Sequence, residues 1–159
     1  MTRLKTKLSA LLPFIGLLCA QAQRDMKTIN DGWFFRKAST ENWQPVNVPH
    51  TYNLDAYSQR NYYMGKAFYQ KSFVLPEVPQ GKRCAASKAA DLTLNGQKIG
   101  SHAGGYSAFT FDITPYIQKN NTIEIKVDNS RKDITPISAD FTFWGGIYRD
   151  VSVSYTHLR

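Results

Sequence analysis

The side chains that could carry out chemistry in this 159-residue sequence are few and widely dispersed. One of its two cysteines, Cys84, follows Lys82-Arg83 and has no histidine near it in sequence, so a nucleophilic thiol with an adjacent base is not indicated. The histidines lack the spacing of metal ligands: His50, His102 and His157. We therefore expect neither a metal site nor a cofactor.

Hydrolysis by a pair of carboxylates is the next chemistry to consider. The three glutamates are Glu41, Glu77 and Glu124. Glu124 alternates with apolar residues, as a solvent-facing strand residue would, and the other two lie in polar turns. None has an apolar pocket that the sequence would reveal, and we assign no catalytic residue.

Aromatic residues make up 13% of the chain, and one segment concentrates them around a carboxylate. Residues 139–146 place Asp140 among Phe141, Phe143 and Trp144. Flat aromatic faces stack on sugar rings while carboxylates hydrogen-bond hydroxyl groups, so the composition fits sugar binding. It also fits a packed β-sandwich core with an aspartate in a turn, and composition alone favours this core packing while leaving sugar binding open.

Residues 1–22 have the three parts of a secretory signal peptide. An apolar run of 13 residues, 8–20, ends at the small-x-small site Ala20-Gln21-Ala22 and is too short to span a bilayer, which needs about 20 residues. We expect an exported protein, periplasmic or extracellular, with no membrane span. The positively charged start is Arg3, Lys5 and Lys7, and its removal lowers the net charge from +8 to about +5. This residual charge is spread along the chain and does not favour a nucleic-acid partner.

The remaining chain has the pattern of β-strands, which must position any site. Ile123, Ile125 and Val127 alternate with charged residues, and Asn95-Gly96 between two short apolar runs predicts a two-residue hairpin. Turn clusters separate the short strands, and the length suits one domain but not a (β/α)₈ barrel of about 250 residues. The sequence predicts one all-β domain, an antiparallel β-sandwich, over residues 23–155.

Several motifs occur in an order that resembles the N-terminal sugar-binding domain of glycoside hydrolase family 2. The resemblance extends over about residues 29–153. Within the family, the motifs look most similar to those of exported β-galactosidases of Bacteroides-type bacteria. Its motifs are residues 31–35, 48–53, 95–100, 102–109, 111–114, 127–130 and 138–151.

The resemblance implies a jelly-roll sandwich, similar to galactose-binding domains, that precedes an immunoglobulin-like domain and a catalytic barrel. The barrel carries the two glutamates of a retaining mechanism, and the resemblance does not extend to it, so no catalytic residue carries over. By motif match, Asp140 and Asn53 are predicted to bind substrate, and Trp144 and His50 are candidates for the pocket rim. The implied partners are a β-galactoside-like carbohydrate and the remaining domains of the same enzyme. A stand-alone carbohydrate-binding module or lectin-like protein is the alternative.

Two departures from the family pattern affect the expected stability. An apolar strand is expected between residue 83 and the Ala90-Asp91-Leu92 segment, yet only residues 84–89 intervene. Because a lost strand would expose new sheet edges, we expect a weakened or aggregation-prone domain. Residues 156–159 do not resemble the family's continuation and are set apart as a tail.

Overall fold

The computed structural model describes residues 23–57, 62–74, 82–84, 89–104, 107–131, 133–134 and 143–157. The predicted signal peptide and Asp140 lie outside these ranges. Within them the chain forms twelve strands and two single-turn 3₁₀ helices, Leu54–Tyr57 and Thr114–Tyr116. The strands are β1 Gln23–Thr28, β2 Trp33–Lys37, β3 Gln44–Val46, β4 His50–Thr51, β5 Lys66–Val74, β6 Lys82–Cys84, β7 Ala89–Leu94, β8 Gln97–Ala103, β9 Phe109–Phe111, β10 Asn120–Asp128, β11 Gly146–Ile147 and β12 Ser152–His157.

Two antiparallel sheets form the sandwich and confirm the predicted fold class. One sheet has the strand order β1-β12-β6-β9, and the other has the order β3-β2-β5-β10-β7-β8. A separate two-stranded pair, β4 with β11, contacts the larger sheet through β10 and through the side chains of Phe35 and Tyr69. No helix among the described residues is long and apolar enough to cross a bilayer.

Alternate residues of the strands supply the core, as the period-two pattern predicts. Ile123, Ile125 and Val127 of β10 are fully buried, and Val153 of β12 is buried from the smaller sheet. Each such aliphatic side chain contributes about 1.5–3 kcal/mol by leaving water. Further large buried side chains join the same cluster: Trp33, Phe35, Val48, Tyr52, Tyr69, Leu92, Leu94, Phe109, Ile113, Ile147 and Val151.

The predicted hairpin at Asn95-Gly96 joins β7 to β8. Both residues have positive φ, 51° at Asn95 and 80° at Gly96, which is the geometry of the tight hairpin turn that this pair favours. The Asn95 side chain also donates to Asn121 Oδ1 and accepts from the backbone N–H of Thr122, so it ties the turn to the start of β10. This one residue therefore sets both the turn and its packing.

The short strand β6 ends at Cys84, the first residue of the segment where the sequence departs from the family pattern. Strand β6 lies between β12 and β9, with two residues in register with β12 and three with β9. The smaller sheet is thus continuous, although β6 has only three residues, and weakened stability stays a prediction. Strand β12 continues through Thr156 and His157, which pair with β1, and so extends into the segment that the sequence pattern set apart as a tail.

Candidate functional site

Three of the four predicted site residues come together beside the short β4–β11 pair. His50 of β4 is in register with Ile147 of β11, and Asn53 follows β4 by two residues. Trp144 directly precedes the Gly145-Gly146 turn into β11 and is half-buried. The fourth residue, Asp140, is outside the described residues, and its contact with substrate stays a prediction.

Asn53 is fully buried and uses both ends of its amide to hold the segment before β11. Its Nδ2 donates to the carbonyl of Phe143 at 2.9 Å, and its Oδ1 accepts from the backbone N–H of Gly145 at 2.9 Å. The Thr51 hydroxyl lies 2.9 Å from Asn53 Oδ1 and 2.8 Å from the Gly145 carbonyl, and its single proton serves one of them at a time. Direct sugar binding by Asn53 stays a prediction; the bonds present make it a positioning residue for residues 143–145.

A second buried asparagine, Asn129, was not among the predicted site residues. It is also fully buried, and its Nδ2 donates to the same Phe143 carbonyl at 2.8 Å. Its Oδ1 accepts from the backbone N–H of Gly65 at 2.8 Å. We call Asn53, Asn129 and the Phe143 carbonyl the asparagine clamp. Buried polar groups are almost always hydrogen-bonded, and here the bonds join three segments that are distant in sequence.

Aromatic hydroxyls and close packing complete the support around residues 143–145. The Tyr62 hydroxyl accepts from the backbone N–H of Phe143 at 3.0 Å, and the Tyr52 hydroxyl donates to the Gly65 carbonyl at 2.9 Å. A Cβ on Gly145 would lie 2.2 Å from the Tyr52 ring, so only glycine fits there. Burial raises the pKa of Tyr52, which keeps its hydroxyl protonated as this bond requires.

His50 is half-buried within an aromatic cluster. Its ring lies 4.8 Å from the Phe35 ring, and its Nδ1 lies 2.7 Å from the Tyr69 hydroxyl. Burial raises the pKa of Tyr69 and lowers the pKa of His50. The phenol therefore keeps its proton and can donate it to a neutral imidazole. The described part of the chain contains no group of three or more His, Cys, Asp or Glu residues arranged to hold a metal ion.

Two packed antiparallel sheets place the domain in the β-sandwich class. The family model for the sugar binding domain of glycosyl hydrolases family 2 matches residues 44–157. The chain belongs to this family, and the resemblance drawn from its motifs is confirmed.

Curated relatives and solved structures agree with this assignment. The chain is 35% identical to a β-glucuronidase of Bacteroides fragilis over 96% of its own length and 23% of the relative. It is 33% identical to a β-galactosidase of Thermoanaerobacter pseudethanolicus, over 82% of the chain and 20% of the relative. The crystal structure of a Bacteroides uniformis β-glucuronidase superposes with a TM-score of 0.76 and 42% identity, covering 83% of this chain and 18% of that one. The chain thus spans about a fifth of the length of each.

Proposed function

We propose that this chain is the N-terminal sugar-binding domain of an exported retaining β-glycosidase and contributes residues to the rim of its sugar pocket. The observation that carries the proposal is the match to a sugar-binding domain family over residues 44–157. Export is supported by the sequence of residues 1–22, which has a positively charged start, an apolar run and the small-x-small site Ala20-Gln21-Ala22. The hydrolytic step belongs to glutamates of a barrel domain, so the chain alone binds and does not hydrolyse.

The asparagine clamp supports the role at the rim. Both amide groups bind the Phe143 carbonyl, three residues after Asp140, and fix the backbone on which Trp144 is carried. In this proposal the Asp140 carboxylate accepts hydrogen bonds from sugar hydroxyls, and the Trp144 ring packs against an apolar sugar face. Backbone that is already fixed at residues 143–145 loses less conformational freedom when the sugar binds, which favours affinity.

The first candidate for the bound sugar is a β-galactoside, which the sequence motifs favour. A β-glucuronide is the second candidate, because the relatives from Bacteroides fragilis and Bacteroides uniformis carry the name β-glucuronidase. Calorimetric titration of the 159-residue chain with methyl β-galactoside and methyl β-glucuronide distinguishes the two. Because this chain supplies only part of the pocket, we expect a Kd of about 1 mM or weaker, near −4 kcal/mol.

Two matched variants test whether binding occurs at the proposed rim. Asp140→Asn removes a predicted contact, whereas Asp31→Asn makes the same chemical change on an exposed residue before β2, at the opposite end of the larger sheet. We expect Asp140→Asn to weaken glycoside binding and Asp31→Asn to leave it unchanged. Equal affinities of the two variants would contradict the rim role.

The stand-alone lectin-like alternative makes a different prediction for the same titration. A complete binding site in this chain would give micromolar affinity without any further domain. Turnover of a nitrophenyl β-galactoside by the purified chain would instead contradict the assignment of catalysis to another domain. Millimolar binding without turnover is the result that supports the proposal.

A further inference from the structure

The outer face of the larger sheet carries a row of side chains that lie in register across five strands. Arg36 of β2 pairs with Phe68 of β5, and Phe68 pairs with Lys126 of β10. Lys126 then pairs with Asp91 of β7, and Asp91 pairs with Ser101 of β8. We call these five residues the outer-face row. With strands about 4.8 Å apart, the row is about 19 Å long.

One end of the row is aromatic and exposed. The guanidinium carbon of Arg36 lies 4.3 Å from the Phe68 ring centre and 5.1 Å from the Trp43 ring centre, so the cation is held between two rings. Phe34 is 49% exposed and Trp43 is 36% exposed. Gln70 is in register with Phe34 and adds an amide to the same face. Exposed aromatic side chains grouped at one end of a sheet face are typical of a binding surface.

The other end of the row is polar and concave. A cavity of about 370 Å³ opens there, within the range of small-molecule sites. Its floor holds Asp91, which accepts from the Ser101 hydroxyl at 2.6 Å and from Lys126 Nζ at 3.0 Å. Charged and hydroxyl side chains of its lining supply both hydrogen-bond donors and acceptors: Lys66, Asp91, Ser101, Lys126, Asp128 and Arg131.

Three cations on this face have carboxylate partners within it: Lys98 and Lys126 both pair with Asp91, and Arg131 pairs with Asp133. An anionic ligand at this end of the row would meet the carboxylates of Asp91 and Asp128 as well as the cations. An uncharged ligand rich in hydroxyl groups can use both the donors and the acceptors. The length of the row and its aromatic end suit a chain of sugar rings better than a single one.

We propose that the outer-face row, with Phe34 and Trp43 at its aromatic end, is a second carbohydrate-binding surface that holds an extended neutral glycan. Phe34 and Trp43 stack on sugar rings, and the polar end hydrogen-bonds hydroxyl groups of the same chain. The choice of ligand class rests on the proposed function, but the surface is separate from the rim that Asp140 and Trp144 are proposed to form. Its role is to keep a polymeric substrate close to the enzyme.

Affinity electrophoresis of the 159-residue chain in gels containing soluble galactan, xylan or mannan tests this proposal. We expect retardation by at least one neutral polymer. Trp43→Ala and Phe34→Ala should each weaken it about fivefold to tenfold, because each removes one stacking ring. The control is Val74→Ala, which truncates a 64% exposed residue at the far end of β5. Thermal melting of each variant verifies that the domain is folded. If one of the two aromatic variants does not fold, the other still tests the proposal.

Three results would overturn the proposal. These are no retardation by any neutral polymer, equal retardation of the aromatic variants and Val74→Ala, or retardation only by polygalacturonate that disappears as salt is raised. The Asp140→Asn variant separates this surface from the proposed rim. If polymer retardation persists in Asp140→Asn while the wild type binds no simple glycoside, the rim proposal fails and the second surface stands. Loss of retardation in Trp43→Ala with unchanged glycoside binding supports both.

Discussion

Replacing either asparagine of the clamp with alanine leaves the other to hold the Phe143 carbonyl. The losses in the free energy of unfolding caused by the two single replacements should therefore not add in the double variant. Asn129→Ala removes one bond to that carbonyl and orphans the Gly65 N–H, which is partly accessible to water. We expect the free energy of unfolding of this variant to fall by about 1.5–3 kcal/mol. Asn53→Ala orphans the buried N–H of Gly145, and we expect about 2–4 kcal/mol.

The double variant removes both donors and leaves the Phe143 carbonyl without either amide. The additional cost of a buried unsatisfied carbonyl is about 1–2 kcal/mol, so the double variant should lose more than the sum of the single variants by that amount. Urea unfolding followed by tryptophan fluorescence measures all four proteins. Sucrose, a stabilising osmolyte, keeps the double variant folded at the start of the titration.

The control for this cycle is Asn47→Ala. The Asn47 Oδ1 accepts from the Gly32 N–H at 3.1 Å, but the site is exposed, so we expect a loss of about 1 kcal/mol or less. Its effect should add to that of Asn129→Ala. If Asn53→Ala and Asn129→Ala are also additive within about 0.5 kcal/mol, the shared carbonyl is not the link between them, and the account of the clamp is wrong.

Three further predictions concern the backbone, pH and export. Gly146 has φ of +134°, and a Cβ added there would lie 2.2 Å from the His50 carbonyl oxygen, so Gly146→Ala should prevent folding or lower the free energy of unfolding by more than about 4 kcal/mol. Gly96 has φ of +80° and open space around it, so Gly96→Ala should lower the free energy of unfolding by only about 1 kcal/mol. Urea unfolding measures both changes. Because burial lowers the pKa of His50, the unfolded state binds more protons than the folded state below about pH 6.5, and the free energy of unfolding should fall as pH drops from about 7 to 5. Urea unfolding at each pH measures this dependence, and His50→Phe should make it weaker. The same pH dependence in the variant and the wild type would contradict the account. Mass spectrometry of the exported protein should show a chain that begins at Gln23, and Ala22→Leu should block this cleavage; a mature chain that keeps residues 1–22 would exclude the signal peptide.

The sequence predicts those parts of the fold that depend on local pattern. The alternation of Ile123, Ile125 and Val127 with polar residues defines β10, because a pleated strand directs successive side chains to opposite faces. Asn95-Gly96 predicts its hairpin because few residues adopt positive φ at low cost. Both properties reside in neighbouring residues and need no knowledge of the tertiary structure.

The asparagine clamp could not be predicted in this way. Asn129 is linked to Gly65 and Phe143, which lie 64 and 14 residues away, and a polar residue at the end of a strand gives no sign of its partners. The family resemblance pointed to the segment around Asn129 but gave it no role. Signals that could have found it are its position directly after a strand with buried alternate residues and the need of any buried amide for partners.

The outer-face row was also beyond sequence analysis, for a different reason. Arg36, Phe68 and Lys126 each follow the outward parity of their own strand, which alternation can indicate. Their alignment depends on the register of two strand pairings, and a shift of one residue would exchange inward and outward faces. Register is set by packing between distant segments, so the row becomes visible only in the folded sheet.

The pairing of β1 with β12 has a consequence for the connectivity of the domain. Gln23 and His157 are register partners, so their Cα atoms lie about 5 Å apart. A peptide of a few glycine residues could join them without disturbing either strand. New termini could then be opened at the exposed turn after Asn95, and such a circular permutant should keep both sheets. Polypeptide that enters at Gln23 and polypeptide that leaves after His157 would meet the domain at a single point, as in a domain inserted into a host loop.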